Sequence, residues 1–365
     1  MEGKDKHTFN LADSKPIFFS ELGSIQQVTA TQFPILKNLS MERLILVPGA
    51  IREPHWLANA NELSYCIAGN VLVSILDTGN VFSSFTLAKG EMFYVESGSI
   101  HHIENVGDTD ATLIIAYRNE LPQDFSFHAS FGAMTNSVLG NTYNLQSSSF
   151  ASITQSTKPA WIVKRQGPPN IPATAGLPNS HKFNIEGMTP PVLTKFGEAK
   201  TARNQFWPAL TNIAMYSLLM PDDGMREPHW HPSTVEMGYV ETGQARMTVM
   251  DPDGKVHTFY LFPGDCYFIP AAFPHQIECL EEPEIHFAIF FDQATPLDIG
   301  FETTTTAFSK EVIAATLEVE ADKLPDFGFT PVNTLFVEKI NAADTVEYVK
   351  ERDVKLNEGL SVSGQ

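Results

Sequence analysis

The sequence predicts an all-β fold. Turn formers are frequent, with 24 Pro and 23 Gly among 365 residues. Aromatic residues are abundant, led by 26 Phe. Short β-branched or aromatic runs recur at about 8–12 residue spacing, the habit of a sandwich or barrel.

One offset relates two parts of the chain. Arg52, His55 and Glu62 recur 174 residues later as Arg226, His229 and Glu236. Gly69, Gly90 and His101 recur as Gly243, Gly264 and His275 at the same distance. Asn38 and Asp124 match Asn212 and Asp298. A constant offset over so long a stretch means two copies of one domain. The length agrees, since domains cluster near ~100–150 residues.

Within each copy the strands can be read in order. IAGNVLVSILDT holds turn residues between β-branched runs. ETGQARMTVMDPDGKVHTFYLF reads as strand, Asp-Pro-Asp-Gly turn and strand, because Asp and Gly tolerate positive φ. GDCYFIPAAFPHQIECL adds another strand, turn and strand. Phe268, Phe273, Tyr239 and Tyr267 are assigned to the core, Met237 and Met247 to barrel filling, and His257 and His286 to structural positions. SKEVIAATLEVEADKL has helical spacing with Ser309 as its N-cap. The expected organisation is a first domain over 1–145 with an N-terminal arm, and a linker over 146–182 packed across both domains. A second domain follows over 183–345, and then a frayed polar tail over 346–365. Trp161 and Ile162 argue that the linker is packed, because exposing both would leave an apolar patch.

Composition narrows the function. With 43% hydrophobic and 18% charged residues the chain can bury a large core. A net charge of −19 repels nucleic acid and anionic membranes. An anionic substrate therefore needs a local positive centre. Cys66, Cys266 and Cys279 form no CxxC pair and suit a reducing compartment. The first residues contain no apolar segment of signal-peptide type, so a cytoplasmic location is expected, with a mature secreted chain as the alternative. No apolar run approaches the ~20 residues of a membrane span.

Chemistry concentrates in the second copy. His229 and His231 are two apart on a strand and project to one side. Glu236 returns to that side after Pro232-Ser233-Thr234, and His275 arrives from a later strand. Three imidazoles and one carboxylate suit Mn, Fe, Ni, Cu or Zn and leave coordination positions open. In the first copy His55, Glu62 and His101 are retained, but Leu57 stands where a second histidine is due. Two histidines and a carboxylate can still hold iron, although a weakened or empty site is the expectation there. His102 points away from His101.

REPHWHPSTVEMGYVETGQARMTV with PGDCYFIPAAFPHQIE resembles the two conserved boxes of the cupin superfamily. GSIQQVTATQFPI and PGAIREPHW extend the likeness to the oxalate decarboxylase family of bicupins, from about Gly23 to Leu317. The resemblance implies two jelly-roll β-barrels with a few short peripheral helices. It also implies Mn2+, with Fe2+ as the alternative, and a small carboxylate such as oxalate as substrate. Homo-trimers or hexamers are the implied assembly. Arg226, and Arg52 in the degenerate site, occupy the position of the family's carboxylate-holding arginine.

Two departures bear on catalysis. Leu57 is one. The other is the family's lid glutamate, which moves protons during C–C cleavage. Phe127 lies at its place in DFSFHASF, next to His128. In the second copy, PLDIGFETTTTAF offers only Asp298 and Glu302. Three readings follow: a manganese-dependent carboxy-lyase or oxidase of a small carboxylate, a non-catalytic metal- or ligand-binding bicupin, and an iron-dependent dioxygenase or isomerase of a larger acid with Phe127 and Phe301 in its pocket.

Overall fold

The computed structural model describes residues 5–280, 283–328, 330 and 333–361. Alternating apolar residues build antiparallel strands, and the strands of each copy form two sheets. In the first unit, one sheet runs Lys182–Asn184, Glu91–Val95, Glu62–Ala68, Ala111–Tyr117, Ser40–Leu46, Gly23–Val28 and Phe18–Ser20. The facing sheet runs Asp124–Ser126, Ala50–Leu57, Ile100–Asn105, Asn70–Asp77 and Val81–Ala88, with Ile162–Lys164 also on Ala50–Leu57.

The second unit repeats this plan. One sheet runs Thr8–Asn10, Asp265–Ile269, Glu236–Thr242, Glu284–Phe291, Ala214–Pro221, Gly197–Ala202 and Val192–Thr194. The other runs Val256–Leu261, Gln244–Met250, His275–Leu280, Gly224–Trp230 and Ile299–Gly300, with Phe336–Glu338 beside Gly224–Trp230. Each unit is thus a jelly roll, two sheets face to face around an apolar filling. Leu44, Val73, Phe93 and Ile115 fill the first, and Met247, Leu261, Phe287 and Ile289 fill the second.

The duplication is visible in the backbone. Gly69 and Gly243 have φ of 81° and 78°. A Cβ there would meet neighbouring backbone at 2.6 Å and 2.3 Å respectively, so both turns require glycine. Gly254 closes the expected Asp-Pro-Asp-Gly turn at φ 85°.

The units do not divide where the sequence suggested. Leu11–Gly187 and Trp207–Leu210 form one, while the described residues up to Asn10 belong with the C-terminal jelly roll. Thr8–Asn10 adds an edge strand to Asp265–Ile269, and Lys182–Asn184 adds the equivalent strand to Glu91–Val95. These arms are themselves duplicates: His7-Thr8-Phe9-Asn10 and His181-Lys182-Phe183-Asn184 stand 174 residues apart. Each jelly roll therefore carries the arm that precedes the other one. The linker lies with the first unit, where Ile162 and Trp161 join its core.

Ser309 caps the helix Lys310–Thr316, accepting from the Val312 N–H as expected. The supposed frayed tail is instead a helix through its described part, Val346–Ser361. Val349 is buried, and the Asn357 side chain bonds both the N–H and the carbonyl of Val256, which ties the helix to a sheet edge.

Candidate metal centre

The centre sits between the two sheets of the second jelly roll. His229 and His275 face each other as register partners in one sheet, and Glu236 begins a strand of the other. The register shifts between Arg226 and His229, where two residues, Glu227 and Pro228, oppose one, Gln276. This bulge turns side chains three apart toward the same interior, so Arg226 and His229 share a wall. The first jelly roll has the same shift beside Arg52 and His55.

His229, His231, Glu236 and His275 are all buried, and their ligand atoms lie within 4.8 Å of one another. The rings of His229 and His275 are 4.1 Å apart, and those of His229 and His231 are 5.1 Å apart. Each imidazole is oriented by a backbone carbonyl. Nδ1 of His229 donates to Glu227 at 2.8 Å, that of His231 to Leu297 at 3.0 Å and that of His275 to Phe273 at 2.9 Å. A carbonyl only accepts, so the proton sits on Nδ1 and the Nε2 lone pair faces inward. This is the outer arrangement that metal-binding histidines use.

Those inward atoms meet a carboxylate. Glu236 Oε2 lies 2.8 Å from His231 Nε2 and 3.5 Å from His275 Nε2. His275 Nε2 is buried without a hydrogen-bond partner among the described residues. Lone pairs and a carboxylate converge on one point, and only a cation or extra protons reconcile them. The donor set therefore fits a divalent metal. The Tyr267 hydroxyl donates to Glu236 Oε1 and fixes its orientation.

Electrostatics agree. Burial raises the Glu236 carboxyl, but His231 and His275 outweigh burial and hold it well below its ordinary range. Burial, then Arg226 and the neighbouring imidazoles, pushes His229 well below its ordinary value, which keeps it neutral.

A cavity of about 130 Å³ opens beside these residues. Arg226, Asp298, Tyr216, Arg203, Leu297 and Phe291 help line it. Arg226 pairs with Asp298 and also donates to the Leu335 carbonyl at 3.0 Å. Arg203 was not anticipated, because it lies outside the repeated motif. Glu302 is not among the lining residues; its carboxylate accepts from Thr334 and its own N–H donates to Glu227 at 3.1 Å. Phe301 packs on Trp230, and Phe127 packs on Phe131 in the first unit; neither lines this cavity.

The first jelly roll holds the reduced version. His55 and His101 rings are 4.2 Å apart, and His101 Nε2 lies 3.2 Å from Glu62. Leu57 is buried where a fourth ligand is due. Arg52 pairs with Asp124, and Ser64 donates to Glu62 at 2.8 Å. His102 turns away toward Glu104, as strand alternation demands. His128 donates its backbone N–H to Glu53 and does not join the cluster.

The family described as Cupin matches residues 9–149 and 183–323. Oxalate decarboxylase OxdC of Bacillus subtilis (strain 168) is 26% identical over 279 residues, covering 74% of this chain and 71% of that protein. A probable oxalate decarboxylase of Arthroderma benhamiae is 26% identical over 294 residues, covering 76% and 70%. A germin-like protein of Arabidopsis thaliana, subfamily T member 2, is 33% identical over 143 residues, covering 34% and 65%. Among solved structures, a variant of the B. subtilis enzyme superposes with a TM-score of 0.81 at 23% identity, covering 91% of this chain and 89% of that one. Another structure of the same enzyme, described by its Mn(II) centres, gives a TM-score of 0.80 at 23% identity, with 91% and 89% covered. Two domain matches, one per jelly roll and each spanning the metal-ligand motif, make this chain a member of the Cupin family.

Proposed function

We propose that the second jelly roll is a manganese centre that acts on a small carboxylate, with oxalate as the leading substrate and decarboxylation as the leading reaction. One observation carries this reading: three Nδ1-tethered imidazoles and Glu236 converge on a small cavity whose wall presents Arg226. Two of the relatives named above support it, the oxalate decarboxylase of B. subtilis and the probable oxalate decarboxylase of A. benhamiae.

His229, His231, Glu236 and His275 would hold the ion. Manganese held there would supply a Lewis acid for a carboxylate. Arg226 presents a planar fork suited to a carboxylate, after giving up part of its pairing with Asp298. Among the acids that line the cavity, Glu236 is committed to the ligand set and Asp298 remains to carry a proton. Leu335 and the buried Phe336 exclude water from the same wall. The volume, about 130 Å³, lies below the ~300–1,000 Å³ of sites for drug-sized ligands and favours a substrate of few atoms.

The test is release of formate and CO2 from oxalate by manganese-loaded protein, against His231→Ala prepared the same way. Turnover confined to the unaltered chain supports the reading. Equal rates in both would remove it.

A second reading rests on a different observation. Asp298 already neutralises Arg226, and the Glu302 carboxylate is engaged by Thr334. That arrangement suits a protein that retains metal and ligand without converting them. Tight manganese retention with no turnover across a panel of mono- and dicarboxylates favours it.

A further inference from the structure

We propose a further divalent-cation site, of the zinc type, made by His7, Asp251 and His257, which fastens the N-terminal arm to the C-terminal jelly roll. Asp251 stands six positions before His257 in the chain, but the pair needs a second imidazole. The arm brings one. His7 is fully buried, and its ligand atom lies within 4.8 Å of those of Asp251 and His257.

His7 is set in the tautomer a metal needs, and His257 is held between two carboxylates. His7 Nδ1 donates to the Phe268 carbonyl at 2.8 Å. His257 Nδ1 donates to the Asp5 carboxylate at 3.0 Å. His7 Nε2 is then left as a lone pair directed at Asp251, whereas His257 Nε2 bonds Asp251 Oδ2 and an ion would replace the hydrogen between them; each ring has a carbonyl or carboxylate behind it, the outer partners metal-binding histidines use. His7 Nε2 stands 3.5 Å from Asp251 Oδ1, and His257 Nε2 stands 3.2 Å from Asp251 Oδ2. Bonds of zinc length in tetrahedral geometry separate adjacent ligands by about 3.3 Å. His7 Nε2 and Asp251 Oδ1 are buried and have no hydrogen-bond partner among the described residues.

The duplicate supplies a control. His181 is the counterpart of His7, Asp77 of Asp251 and Tyr94 of Phe268, all at the 174-residue offset. His181 Nδ1 bonds the Tyr94 carbonyl at 2.9 Å, and its Nε2 closes on Asp77 at 2.9 Å. That is an ordinary ion pair, and Ser83 stands where His257 would be. In the second jelly roll a third ligand is present and the same pair stands open.

The rings of Phe259 and Phe273 flank His7 with centroids at 6.2 Å and 6.4 Å, so the site is shielded on that side. Burial holds His7 below its ordinary pKa and keeps it neutral. The Lys6 ammonium now contacts Asp251 Oδ2 and balances its charge. Its side chain is 47% exposed, so it can swing into solvent when an ion takes its place.

The test compares zinc content in the full chain and in His7→Gln, after loading with Zn2+ and dialysis. Wild type is expected to hold one equivalent more than His7→Gln, and His257→Gln is expected to match His7→Gln. His231→Ala, altered in the other centre, is expected to keep the arm equivalent, visible as an anomalous scattering peak between His7 and His257. Equal zinc content in wild type and both Gln variants overturns the proposal. Circular dichroism in EDTA checks that the variants fold. Should they fail to fold, Lys6→Ala keeps the question open to test: removing an ion pair worth up to ~1 kcal/mol tightens zinc about fivefold if the site exists. Absence of an anomalous zinc peak between His7 and His257 in zinc-loaded Lys6→Ala then overturns it.

Discussion

Arg226 and Asp298 are ion-paired at the wall of the second cavity, 72 residues apart, and Arg52 and Asp124 make the same pair at the same separation in the first jelly roll. A carboxylate substrate entering the second cavity must compete with Asp298 for the guanidinium. Asp298→Asn keeps the shape and removes the competing charge, so oxalate should bind manganese-loaded protein several-fold more tightly by calorimetry. Arg226→Ala should abolish that binding and cost about 3 kcal/mol in denaturant unfolding, because it strands a largely buried acid. Unchanged oxalate affinity in both variants would remove Arg226 from substrate binding.

The metal-free protein should weaken on acidification in two stages. A base whose folded pKa is lowered contributes stability above its unfolded value and loses it as pH falls; for His229 the decline begins near 6.5. A carboxyl with a lowered folded pKa behaves alike, and for Glu236 the loss begins near 4.5. Glu236→Gln should flatten the second stage in apo-protein melts recorded between pH 6 and pH 3. An unchanged slope would show that Glu236 is not charged and paired in the apo fold.

Glu42 predicts the opposite pH trend in the first jelly roll. Burial, opposed by Arg52 and reinforced by Asp124, raises its carboxyl to about 7. A raised folded pKa gives stability that is complete below the unfolded value of 4.5 and is lost as pH rises through 7. Glu42→Gln should therefore stabilise the protein at pH 8, by up to about 3 kcal/mol, and change little at pH 4. The Tyr117 hydroxyl, 3.0 Å from Glu42, can donate to the amide oxygen as it does to the acid. Equal melting shifts at both pH values would contradict this account.

Leu57→His should restore the missing ligand. Leu57 is buried beside a cluster that already contains His55, Glu62 and His101. The variant is expected to gain one equivalent of manganese over the unaltered chain by elemental analysis. No gain would mean that the local backbone, rather than the side chain, prevents binding there.

Much of this was readable from residue identities. HxH on a strand fixes two side chains on one face, so His229 and His231 were legible together. The constant offset revealed the duplication, and Asp-Pro-Asp-Gly marked its hairpin. The bulge that aligns Arg226 with His229 was not legible, because spacing by three predicts opposite faces. Spacing could not choose between Asp298 and Glu302, because whether a loop acid reaches a cavity depends on its neighbours; here Thr334 takes Glu302, and Asp298 lines the cavity. The arms were missed although HTFN and HKFN repeat at the same offset. Nothing local tells a short strand which sheet edge it will join. The tail was misjudged by composition, since Asn357 anchors its helix through two bonds to Val256.

The crossed arms bear on how the chain can be dissected. A fragment ending near Gly187 would carry Thr8–Asn10 with no edge to receive it. A fragment beginning near Met188 would leave the outer side of Asp265–Ile269 bare, an open template for intermolecular strand addition. Each half thus lacks an edge-strand partner that the intact chain supplies, and supplying residues 1–10 in trans should keep the C-terminal fragment from clumping.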